Sequence, residues 1–67
     1  MFDYRTYKER GSGWVAEVCT YFSGETEVSI FDSRMQKIGS RCYLDFASAC
    51  NFVTCDMPGD WEVANRE

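Results

Sequence analysis

Phe2-Asp3-Tyr4-Arg5-Thr6-Tyr7-Lys8 alternates between two sets of side chains with a period of two, the spacing of a strand that buries one face. Phe2, Tyr4 and Thr6 form the more apolar set and are assigned inward, which leaves Asp3, Arg5 and Tyr7 outward. Glu9-Arg10-Gly11-Ser12-Gly13 is polar and glycine-rich, the composition of a hairpin connection. The segment from Trp14 to Phe22, rich in β-branched and aromatic residues, predicts a second strand with Trp14, Ala16, Val18 and Phe22 on the core face. Val15, Glu17, Cys19 and Tyr21 fall on the opposite face. Ser23-Gly24-Glu25-Thr26 supplies a turn, and Glu27-Val28-Ser29-Ile30-Phe31 resumes the alternation with Val28 and Ile30 inward.

The remainder departs from strict alternation. Met35-Gln36-Lys37-Ile38-Gly39 fits a short strand and a loop equally well. Asp45 is a helix N-cap candidate, because its short carboxylate can accept from the orphan N–H groups of a first turn. Phe46, Ala49, Cys50 and Val53 follow at i, i+3, i+4 and i+7, one helical stripe, and Leu44 sits where a hydrophobic staple would. The helix must end before Pro58, since Asp56-Met57-Pro58-Gly59-Asp60 has turn chemistry throughout. Trp61-Glu62-Val63-Ala64 then reads as a closing strand. The order β-β-β-α-β predicts an α+β fold: one antiparallel sheet of three to four strands with a single helix packed across one face.

A chain of 67 residues holds one domain, here 1–67, and folding hides only about 60% of the surface that a chain of this size exposes when unfolded. The predicted core is Phe2, Tyr4, Trp14, Ala16, Val18, Phe22, Val28, Ile30, Phe46, Ala49, Cys50 and Val53. Tyr7, Val15, Tyr21 and Phe31 are left on the uncovered sheet face, interleaved with Arg5, Glu17 and Glu27. Tyr and Arg are residues that interface hot spots favour, so Arg5, Tyr7, Glu17, Tyr21 and Phe31 are the candidate contact residues for a protein partner.

Four cysteines, Cys19, Cys42, Cys50 and Cys55, admit three readings: buried thiols, one or two disulfides, or metal ligands. The last fits poorly, because no Cys-x2-Cys knuckle and no histidine is present. Only Cys42, beside Arg41, has a neighbouring cation to activate it. The lack of histidine also removes the usual partner of serine and cysteine nucleophiles, and no phosphate-cradling glycine motif occurs. Glu17 and Glu27, on one sheet face, are the remaining acid–base candidates. No cofactor and no metal are expected.

Apolar runs do not exceed three residues, far short of a membrane span, and Met1-Phe2-Asp3-Tyr4-Arg5 is unlike a secretory signal, so a cytoplasmic protein is expected. A net charge of −4 opposes nonspecific nucleic-acid binding, and the cluster Arg34, Lys37 and Arg41 is small. An acidic surface can instead fill a basic groove on a partner.

Three resemblances attach to these segments. Trp14-Val15-Ala16-Glu17-Val18, with the next strand and the helix, resembles the DNA-reading sheet of plant AP2-type domains, which implies nucleic-acid contact through Arg5 and Trp14. Val18-Cys19 together with Cys42-Tyr43-Leu44-Asp45-Phe46-Ala47-Ser48-Ala49-Cys50 resembles Kazal-type protease inhibitors, which implies a secreted, disulfide-stapled inhibitor with its reactive segment between Cys19 and Cys42. The succession of hairpin, helix and Pro58-Gly59-Asp60-Trp61-Glu62-Val63 is similar to small phage-encoded inhibitors of host RNA polymerase, which implies a protein without an active site that works by covering a surface. The leading expectation is a non-enzymatic, acidic phage or bacterial module that occludes a larger partner, such as a host enzyme or a defence or transcription complex. A homodimer through an unpaired first or closing strand is a further expectation.

Overall fold

Two hairpins and a closing strand build one sheet, seen in a computed structural model that describes residues 3–64. The strands are β1 (Asp3–Glu9), β2 (Val15–Thr20), β3 (Thr26–Phe31), β4 (Lys37–Tyr43) and β5 (Trp61–Val63). They lie in the order β4-β3-β2-β1-β5, and every neighbouring pair is antiparallel. One helical segment joins β4 to β5: α1 (Phe46–Asn51), continued by a π-helical turn over Phe52–Asp56. This is the expected small α+β fold, with five strands where three to four were predicted. The ambiguous segment at Lys37–Gly39 belongs to β4, which runs on to Tyr43.

The first connection is the polar loop 10–13. Glu9 N donates to Trp14 O at 2.9 Å, and Gly13 N donates to Glu9 O at 3.0 Å with Gly13 at φ +78°, a conformation that glycine adopts without a Cβ penalty. The second is closed by Tyr21 N donating to Glu25 O. Asp45 caps α1 as expected, accepting from Ser48 N at 2.7 Å. The π turn ends where Met57 N donates to Phe52 O, one residue ahead of Pro58, while the Thr54 hydroxyl donates back to Cys50 O.

The core lies between the helix and one sheet face: Tyr7, Ala16, Val18, Val28, Ala49, Cys50 and Val53 are buried, with Ile30, Tyr43, Phe46, Phe52, Met57 and Trp61 packed around them. The helical stripe is as expected, and Thr26 is buried beside it because its hydroxyl pairs with that of Thr20 at 2.8 Å. Four assignments need correction. The faces of β1 are reversed: Tyr7 lies opposite Ala16 and is 3% exposed, whereas Tyr4 is 39% exposed. Directly paired residues share a face, so register overrides apolarity here, and the small Ala16 leaves room for the phenol ring. Trp14 and Phe22 stand exposed because β2 begins at Val15 and ends at Thr20, so alternation no longer governs them. Leu44 is 95% exposed and does not act as a staple. Finally, β1 lies inside the sheet, so the edges are β4 and β5. Phe2, predicted inward, lies outside the described residues. Among the described residues no helix is long and apolar enough to cross a membrane.

Candidate functional site

Pairing across four strands maps the face that the helix leaves uncovered into three rows. The first runs Tyr4, Cys19, Glu27, Cys42; the second Thr6, Glu17, Ser29, Ser40; the third Lys8, Val15, Phe31, Lys37. The outer rows are about 13 Å apart, four strand residues at roughly 3.3 Å each. The middle row is polar. Aromatic and apolar side chains therefore sit at two ends, Val15 and Phe31 at one, Tyr4 and Tyr21 at the other.

Of the five predicted contact residues, Glu17, Tyr21 and Phe31 lie together on this face. Arg5 and Tyr7 do not, because the register of β1 turns them toward the helix. There the Arg5 guanidinium lies 5.5 Å from the centre of the Phe46 ring, and Tyr7 interacts electrostatically with both Arg5 and Cys50. Burial, followed by the interaction with Cys50, holds the Tyr7 phenol above its ordinary pKa. These two residues fasten the sheet to the helix. Tyr4, which the sequence reading placed inward, takes their place on the open face; only the pairing register could have identified it.

The Tyr21 hydroxyl donates to Glu27 Oε1 at 2.8 Å, and Lys37 Nζ reaches the other oxygen, Oε2, at 3.7 Å. The Glu27 carboxylate, with Cys19 as a lesser contributor, pushes the Tyr21 pKa up to about 12. The hydrogen bond to Glu27 directs the Tyr21 hydroxyl over the rim of the face. Glu17 and Glu27 share the face but occupy different rows, with Glu27 engaged by Tyr21 and Lys37.

The four cysteines are free. Cys19 and Cys42 both pair with Glu27, from opposite sides, so two strand spacings of about 4.8 Å separate their backbones, beyond the roughly 7 Å that a disulfide spans. Cys50 is buried within α1, against the other side of the sheet, and Cys55 is exposed in the π turn. Among the described residues no group of three or more Cys, Asp or Glu side chains is placed to hold a metal ion.

Concavities border the sheet among the described residues. One, at the corner beside the β2–β3 turn, is an open groove lined by Ser23, Gly24, Glu25, Cys42, Tyr43 and Leu44. Another is lined by Glu9, Ser12, Trp14, Pro58, Gly59 and Trp61. The Glu9 carboxylate accepts from Asp60 N at 2.7 Å and from the backbone and hydroxyl of Ser12, so it joins the first hairpin to the closing turn. No protein-family model, no curated protein and no solved structure matches the chain.

Proposed function

We propose that this protein is a non-enzymatic binding module that lays the open face of its sheet against a larger protein, as a cytoplasmic inhibitor or regulator of the kind phages and bacteria direct at host machinery. The observation that carries the reading is the presence of Tyr4, Val15, Tyr21 and Phe31, beside Glu17 and Glu27, on a sheet face that no layer covers among the described residues. An antiparallel sheet tolerates one wet face, but aromatic side chains there add contact area with little entropy to lose on binding. The preset Tyr21–Glu27 pair presents a hydroxyl and a carboxylate in fixed register, which serves specificity more than affinity. The resemblance to small polymerase inhibitors supports the same mode of action, occlusion without chemistry.

Size sets the form of the contact. Four strands spaced about 4.8 Å apart and some 20 Å long give a face of roughly 400 Å², half of the approximately 800 Å² per partner of a standard interface. Tyr21, at the rim, extends the contact beyond the flat of the sheet. The test is partner capture from a lysate of the host cell with Tyr21→Ala and Phe31→Ala combined. Capture should be lost while Trp14→Ala, which lies off the face, retains it; equal capture by both variants would refute the assignment.

A further inference from the structure

We propose that the protein pairs with a second copy of itself along β4, to form a continuous ten-stranded sheet centred on Ser40. β4 is an edge strand of seven residues, exposed along nearly all its length. Its hydrogen-bonding direction follows from the hairpins. Tyr21 N bonds to Glu25 O, so in the alternating antiparallel ladder Cys19–Glu27, Glu17–Ser29 and Val15–Phe31 are the bonded pairs between β2 and β3. The backbone groups of Thr26, Val28 and Ile30 therefore turn toward β4, where they meet Tyr43, Arg41 and Gly39. Ser40 and Cys42 are left with their N–H and C=O directed outward, a template for another strand.

Natural edges are usually guarded by charge, and here the charges are drawn inward. The Arg41 guanidinium lies 4.9 Å from the centre of the Phe52 ring and 5.8 Å from that of Tyr43, on the helix side, and Lys37 reaches across the open face to Glu27. The opposite edge differs: β5 has three residues, and Arg10 is paired there with both Asp60 and Glu62.

What favours a second copy over an unrelated strand is the fit of β4 to itself. Ser40 is its midpoint, and its outward backbone groups can exchange two hydrogen bonds with those of Ser40 across a two-fold axis. That register sets Arg41 against Gly39 of the other copy, so that no like charges oppose each other, and Ile38, 50% exposed, against Cys42. A two-fold axis at Arg41 would oppose the two guanidinium groups. The bulge at Ile38 lies one residue inside each end of this overlap, in the pair with Cys42, and leaves the central Ser40 pair regular. The axis is normal to the sheet, so both helices lie on one side and the two open faces join on the other.

Sedimentation equilibrium over rising protein concentration tests this. The wild-type mass should rise from one chain to two. Ser40→Lys and Ser40→Glu, each opposing like charges on the axis, should each shift the midpoint to a higher concentration, by up to about fivefold, and an equimolar mixture of the two should restore pairing. A wild type that remains a single chain up to its solubility limit, or charged variants that pair as the wild type does, would overturn the proposal. Amide exchange of the unmodified protein provides an independent readout: the Ser40 and Cys42 amides should slow as concentration rises while Gly39 and Arg41 stay constant. Concentration-independent exchange at all four, or slowing only on addition of a foreign protein, would equally rule out the second copy as occupant.

Discussion

Glu9 shows how one carboxylate can organise a small chain. It accepts three hydrogen bonds, from Asp60 N, Ser12 N and the Ser12 hydroxyl, and these, the Asp60 bond foremost, hold its pKa at about 2 rather than near 4.5. A carboxylate depressed in the folded state stabilises it fully above the unfolded value, and that contribution is lost as pH falls from about 4.5 toward 2. Asp45, lowered by its cap to Ser48 N, acts in the same direction. Urea midpoints measured from pH 6 to 2 should fall through this window, and Glu9→Gln should flatten the fall without removing it, because Asp45 remains. Tyr21 has the opposite sign: its phenol, raised to about 12, favours the fold below pH 10, and that preference is lost as pH passes 12. Ultraviolet titration should find it ionising late, and Glu27→Gln should bring its pKa back toward 10.

Individual elements depend on single positions in ways that composition does not show. Gly59 has φ +117°, and a Cβ there would stand 2.7 Å from Glu9 Cγ, so Gly59→Ala should cost about 1–3 kcal/mol in chemical denaturation. Val53 is fully buried where the π turn meets the sheet, and Val53→Ala should cost about 2 kcal/mol, a large share of the roughly 3–10 kcal/mol that holds a domain of this size together. The helix was legible from the sequence, because Asp45, the stripe from Phe46 to Val53 and Pro58 each act locally. The facing of β1 was not. Period two divides Tyr4 and Thr6 from Arg5 and Tyr7 but does not say which set is inner; that is decided by the register of pairing with Ala16, a contact across the hairpin. Trp14 and Phe22 mislead for a related reason: hydrophobicity continues past both ends of β2, while the pairing that would bury them does not. Two of the five proposed contact residues were lost to this reversal, and Glu17, Tyr21 and Phe31 kept their place because the β2–β3 hairpin turns where its glycine suggests.

Taken together, eight of the aromatic residues are divided between two tasks, with Trp14 and Phe22 serving neither. Tyr7, Tyr43, Phe46, Phe52 and Trp61 fix the helix to one sheet face, with Arg5 and Arg41 stacked at its margins. Tyr4, Tyr21 and Phe31 are left on the other face. A monomer offers roughly 400 Å² there, and pairing through β4 would join two such faces into about 800 Å², the size of a standard contact. The two proposals are separable, since charge at Ser40 tests the pairing and substitution at Tyr21 and Phe31 tests the face. The face itself is tested most directly by hydroxyl-radical footprinting of the protein alone and bound to its captured partner. Oxidation of Tyr4, Tyr21 and Phe31 should fall on binding while that of Trp14 and Leu44 is unchanged. Protection of Trp14 or Leu44 with the three open-face rings still reactive would show that the partner binds elsewhere.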